Sequence, residues 1–171
     1  MKEIAQSEVE KLLTIIQPAP LLRIGHFSDQ AETLSDLLYQ YCEHYDYEYI
    51  LNCTKASYYK KLQSLYQESA VCHMQSFNLD RPNYMQHGKF YDYLFVSCDV
   101  PPEARESFLQ KTHSIIKNAG LILLFVPTVE RKALAHWTRL LEENYFVATN
   151  TIDLDREWSV VISKKMHGWG G

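Results

Sequence analysis

What most constrains this chain is an alternation. Short β-rich runs are mostly separated by longer segments of helical period; the runs at 70–77 and 91–97 are joined by an irregular segment, and the last two by a short polar connection. A strand followed by a helix and another strand builds a parallel crossover unit, so this order predicts α/β architecture with a mainly parallel sheet. The β-rich runs fall at residues 21–24, 47–53, 70–77, 91–97 and 121–126, and the closing pair at 146–153 and 158–163. The four-residue polar connection in that pair predicts antiparallel neighbours.

Helices are predicted over residues 7–17, 29–44, 55–67, 102–118 and 129–143 from their apolar spacing. The first ends at Pro18 and Pro20, because proline lacks an amide donor and disfavours helix in the residue before it. Asp29, with Glu32 three residues on, reads as the N-cap of the second. Asn118 and Gly120 read as stop signals for the fourth. Residues 81–88 read as irregular. The 171 residues suit one domain, with no repeat or linker to divide them.

Charge narrows the function classes. The formal net charge is −4 and no stretch is strongly basic, so attraction to a phosphate backbone or an anionic membrane is not expected. No apolar run approaches the roughly 20 residues that span a bilayer. Cys42, Cys53, Cys72 and Cys98 are scattered and no secretory leader is recognised, so the expected setting is reduced and cytoplasmic. The pairs Cys42/His44 and Cys72/His73 lack the paired spacing of structural zinc sites, and no metal is expected. Cys98 beside Asp99 reads as a small apolar residue, since a neighbouring carboxylate raises a thiol pKa. The tyrosines between Tyr39 and Tyr49 read as a packing surface. Trp169, near the end, reads as frayed or docked on the domain or a partner.

Three segments carry a resemblance: "LLRIGHFSDQAETL", "YDYLFVSCDVPPEARESFLQKTHSIIKNAGLILLFVP" and "NYFVATNTIDLDREWSVVISKK". Together they resemble the Rossmann-like S-adenosylmethionine-dependent methyltransferase superfamily over about residues 16–165. The resemblance implies a seven-stranded, mostly parallel sheet with a C-terminal antiparallel hairpin and helices on both faces, a three-layer α/β/α domain. It implies S-adenosylmethionine as cofactor and a methyl acceptor of unspecified class. It also directs attention to the carboxyl ends of the strands.

The implied cofactor positions are Gly25, His26, Phe27, Asn52, Asn78, Asp80 and Ser97. Gly25 matches one glycine of the first loop, Phe27 lies near a second, and Arg23 replaces the usual acidic residue. Asn52 takes the ribose position, where an amide lacks the charge assistance of a carboxylate. Asn78 and Asp80 follow the third strand, toward the adenine. Ser97 stands where metal-dependent members place an aspartate. Asp99, at the end of the fourth strand, is the implied catalytic residue. It reads first as a cap of the helix near Pro102, and the two roles are compatible. The departures leave a second reading open: a relative that has lost the cofactor and serves as a binding subunit, with a protein partner or a second copy.

Overall fold

The computed structural model describes residues 3–85 and 88–167. Helix α1 spans Gln6–Leu13. Strand β1 (Arg23–Ser28), helix α2 (Glu32–Tyr45), strand β2 (Glu48–Cys53), helix α3 (Ala56–Tyr66) and strand β3 (Cys72–Ser76) follow. Strand β4 (Tyr91–Ser97) then leads through a short 3-10 turn to helix α4 (Arg105–Ile115) and strand β5 (Ile116–Pro127). Helix α5 (Arg131–Glu143) and strands β6 (Phe146–Asp153) and β7 (Trp158–Lys165) complete the order.

The strands form one seven-stranded sheet in the order β3-β2-β1-β4-β5-β7-β6. The first five in chain order pair in parallel, and β7 is antiparallel to both β5 and β6. This is the α/β sheet with a reversed closing pair that the alternation predicts.

Successive side chains along a strand face opposite sides, so a sheet covered on both faces reads as a continuous apolar run. In β5, Leu123 and Phe125 join the core under α1, α2 and α3, while Ile122, Leu124 and Val126 join the core under α4 and α5. That division makes the three layers.

Several boundaries differ from the sequence reading. Strand β1 is not residues 21–24. It begins at Arg23 and continues to Ser28, pairing with Cys53 on one side and Ser97 on the other. Leu21 is exposed at φ 58°. Helix α2 starts three residues after Asp29, so Asp29 is no cap. Its first free amides, those of Glu32 and Thr33, donate instead to the Glu3 carboxylate. Helix α4 stops at Ile115, because wholly buried Ile116 already pairs with Tyr91 in the sheet. Lys165 donates to the carbonyls of His113 and Ile116 and satisfies that helix end. At the register shift inside β5, Ala119 takes a left-handed φ of 66°. Gly120 is required there, since a Cβ would lie 2.9 Å from the Asp92 carbonyl oxygen.

Candidate functional site

The sheet changes winding direction beside β1: β2 and β3 lie on one side, β4 and β5 on the other. Where winding reverses, the chain segments leaving adjacent strands part and open a crevice at the carboxyl edge. Two cavities lie there. The larger, about 650 Å³, is lined by Asp29 after β1, Thr54 and Lys55 after β2, Phe77 to Asp80 after β3, and Asp99 to Pro101 after β4. Phe108 and Lys111 of α4 and Tyr84 close its far side. The smaller, about 300 Å³, opens between β4 and β5, against Arg105, Glu130, Trp137 and Trp158. Asp29, Asp99 and Val100 line both.

Asp29 is the hinge of this arrangement. It is 6% exposed. Its Oδ2 accepts the backbone N–H of Asp99 at 3.3 Å and stands 3.4 Å from the Lys55 ammonium. Its Oδ1 is buried with no hydrogen-bond partner among the described residues. A buried carboxylate oxygen left unsatisfied costs about 1–3 kcal/mol or more, so it marks a place where a donor is wanted.

The expected cofactor residues divide. Asn78 and Asp80 line the larger cavity, with the Asn78 side chain accepting the Asp80 amide at 2.8 Å. Ser97 lines the smaller cavity. Asp99 is exposed and lines both; the 3-10 turn and α4 have no side-chain cap, so the capping role falls away.

Gly25, His26, Phe27 and Asn52 line neither cavity. Gly25 lies inside β1, and a Cβ there would meet Tyr91 and Leu94 at 2.9 Å. Its glycine serves packing against β4, not a phosphate-like approach of backbone to ligand. Phe27 does not occupy a loop. It is 1% exposed, with ring centroids 4.9, 5.6 and 5.8 Å from Phe77, Tyr84 and Phe108. Asn52 is fully buried in β2 and accepts from the Gln75 side chain at 2.5 Å. The carboxyl end of β2 is one residue further on, at Cys53, so Thr54 and Lys55 meet the cavity instead.

His26 belongs to a buried polar chain. Its Nδ1 lies 2.9 Å from the Tyr49 hydroxyl and its Nε2 2.7 Å from Ser97 Oγ, which is 3.1 Å from Ser28 Oγ. Burial holds the imidazole down at about 3, so the ring is neutral, with one donor and one acceptor nitrogen for two hydroxyl partners. The Cys98 thiol is pushed up by burial first and by Asp29 second, so it is protonated near neutral pH and is no nucleophile.

The segment after β3 is fixed by an aromatic. Tyr84 packs among Phe27, Phe77 and Phe108, and its hydroxyl donates to the Leu79 carbonyl at 2.6 Å. Lys111 donates to the same carbonyl at 3.3 Å.

Asp29, Lys55 and Trp158 were not read as site residues from the sequence. From the sequence Asp29 read only as a helix cap; its place just after the first strand emerges with the extension of β1 to Ser28. Among the described residues no group of three or more His, Cys, Asp or Glu side chains could hold a metal ion, and no helix is long and apolar enough to cross a membrane. Trp169 lies outside the described residues.

No family model and no curated protein matches the sequence. Solved structures do match in shape. An S-adenosylmethionine-dependent O-methyltransferase from Thermotoga maritima superposes with a TM-score of 0.76 at 12% identity, covering 100% of this chain and 69% of that one. The CMeT domain of the citrinin polyketide synthase gives 0.73 at 12%, covering 93% and 51%. Human N-acetylserotonin methyltransferase, in complex with S-adenosylmethionine, gives 0.68 at 11%, covering 94% and 52%. The chain thus spans about half the length of the last two. At such identities the likeness is one of fold alone, the methyltransferase-like α/β/α arrangement.

Proposed function

We propose that the chain is a small S-adenosylmethionine-dependent methyltransferase, with the cofactor in the larger cavity and the methyl acceptor in the smaller. One observation carries the reading: two cavities of different size meet at the carboxyl edge and share Asp29, Asp99 and Val100 as a common wall. Transfer between two bound molecules needs their reacting atoms at such a junction, and holding them there supplies most of the catalysis.

The lining fits the cofactor in three respects. The larger cavity is within the roughly 300–1,000 Å³ of small-molecule sites. Thr54, Asn78 and Asp80 give its rim polar groups at the ends of β2 and β3. The unsatisfied Asp29 oxygen and exposed Asp99 put two carboxylates near the junction, which favours positive charge there. When bound, S-adenosylmethionine supplies an electrophilic methyl group on a sulfonium. The chain's own part is to bind, orient and neutralise: Asp29 fixes Asp99 through its backbone amide, and the Phe77–Tyr84–Phe108 wall excludes water.

A second reading is favoured by one contact. The Lys55 ammonium lies 3.4 Å from Asp29 and occupies the end of β2 without a carboxylate there for ribose hydroxyls. A domain whose cleft is occupied in this way by its own ion pair would be a non-catalytic binding subunit.

Titration with S-adenosylmethionine and S-adenosylhomocysteine, by calorimetry and thermal shift, separates the two. Ligand at 100 times its dissociation constant stabilises the fold by about 2.7 kcal/mol. Absence of any shift at millimolar ligand would leave only the second reading.

A further inference from the structure

We infer that the smaller cavity is built for an amine, so that the methyl acceptor is a small amino compound carrying an oxygen at its other end. This inference rests on the methyl-transfer reading of the same site and names its substrate class.

Two buried polar groups in the lining of this cavity lack partners among the described residues. Asp29 Oδ1 wants a donor, and the indole N–H of Trp158, on a residue 7% exposed, wants an acceptor. Asp29 follows β1 and Trp158 opens β7, three strand positions apart, which is roughly 14 Å at about 4.8 Å per strand. One short molecule bridging them needs an N–H group at the Asp29 end and an oxygen at the Trp158 end.

Charge selects the N–H group. The Asp29 charge already faces the Lys55 ammonium at 3.4 Å, which leaves Asp99 and Glu130 against Arg105 among the described residues that line the cavity. The Arg105 guanidinium is held against the cavity wall by neutral groups. It donates to the Val100 carbonyl at 3.2 Å, meets His136 Nδ1 at 3.3 Å and lies 5.0 Å from the Trp137 ring centroid. Lys55, which faces Asp29 from the other side, is not part of this lining. A carboxylate-bearing molecule would be repelled, an alcohol would leave the charge unmatched, and an ammonium satisfies both the charge and the orphan oxygen. Val96, Leu124 and Val126 supply an apolar middle. In the transfer the bound ammonium first gives one proton to water, the neutral amine's lone pair then forms the bond to the methyl carbon, the carbon–sulfur pair stays on sulfur, and the product leaves as the methylated ammonium.

The test uses tyramine and its uncharged counterpart 4-(2-hydroxyethyl)phenol, titrated calorimetrically into the intact chain. Tyramine binding at least tenfold tighter is expected. Asp29→Asn should bring the two within about twofold, and Trp158→Phe should weaken both while keeping their ratio. Equal or tighter binding of the alcohol, absence of binding by either probe at millimolar concentration, or a preference that survives Asp29→Asn would overturn the inference. The wild-type comparison stands even if a variant fails to fold. A parallel S-adenosylhomocysteine titration separates the claims: cofactor binding without amine preference removes only this inference, and amine preference without cofactor binding removes only methyl transfer.

Discussion

The carboxylate of Asp29 accepts the backbone N–H of Asp99 at 3.3 Å, across 70 residues of sequence. The bond ties the end of β1 to the end of β4 at the seam between the two cavities. It holds the Asp99 backbone still while leaving the Asp99 side chain free to face a ligand.

Replacing Asp99 therefore tests function with little structural cost. Asp99→Ala removes an exposed side chain that caps no helix, so stability should stay within about 0.5 kcal/mol. Removing one negative charge from the junction should weaken S-adenosylmethionine by several-fold and the uncharged thioether product much less. Calorimetry with both ligands reads the difference.

Gly25 distinguishes a packing glycine from a ligand-loop glycine. Gly25→Ala would place a methyl 2.9 Å from Tyr91 and Leu94, and overpacking of this kind costs about 1–3 kcal/mol. Denaturant unfolding should show that loss. Ligand affinity of the folded fraction should be unchanged, whereas a loop glycine would lose affinity as well.

Ala119 holds a left-handed backbone at φ 66°, which glycine adopts without penalty. Ala119→Gly should stabilise the chain by about 1 kcal/mol and raise Tm by about 2–4 °C. A fall in Tm would show that the side chain contributes more than the backbone costs.

His26 gives the protein a pH dependence of definite sign. Its folded value, about 3, lies below the unfolded 6.5. The unfolded chain then binds the extra proton between those values, so stability is full above pH 6.5 and declines as pH falls toward 3. One proton is worth about 1.4 kcal/mol per pH unit, or about 2 kcal/mol by pH 5. Half-buried His113 is lowered too, by burial first and Lys165 second, and slopes the same way. The comparison is therefore between wild type and His26→Gln: the variant's stability should fall less steeply from pH 7 to 5.

Much of the architecture was legible because period and order are local properties. The runs that became β2, β4 and β5 announce themselves by apolar residues, and the closing pair by its short polar connection. The second half of β1 did not, since His26 and Ser28 look like loop residues. They are tolerated inside the sheet only because Tyr49 and Ser97, distant in sequence, satisfy the imidazole. Asn52 misled as well, its amide oxygen accepting from Gln75 inside the sheet rather than turned to the rim. The cavity wall was half legible. Asn78, Asp80 and Asp99 follow from the family resemblance applied to the strand ends, but the isolation of Asp29 Oδ1 and of the Trp158 indole arises only when β1 and β7 are placed around β4 and β5.

Lys165, the last residue of β7, reaches across to the carbonyls that end α4. The opposite end of that helix begins at Arg105, which walls the smaller cavity. The final strand thus serves as a remote anchor for the chemistry. A chain shortened by a few residues at this point would keep every group of the crevice and still loosen the helix that frames it.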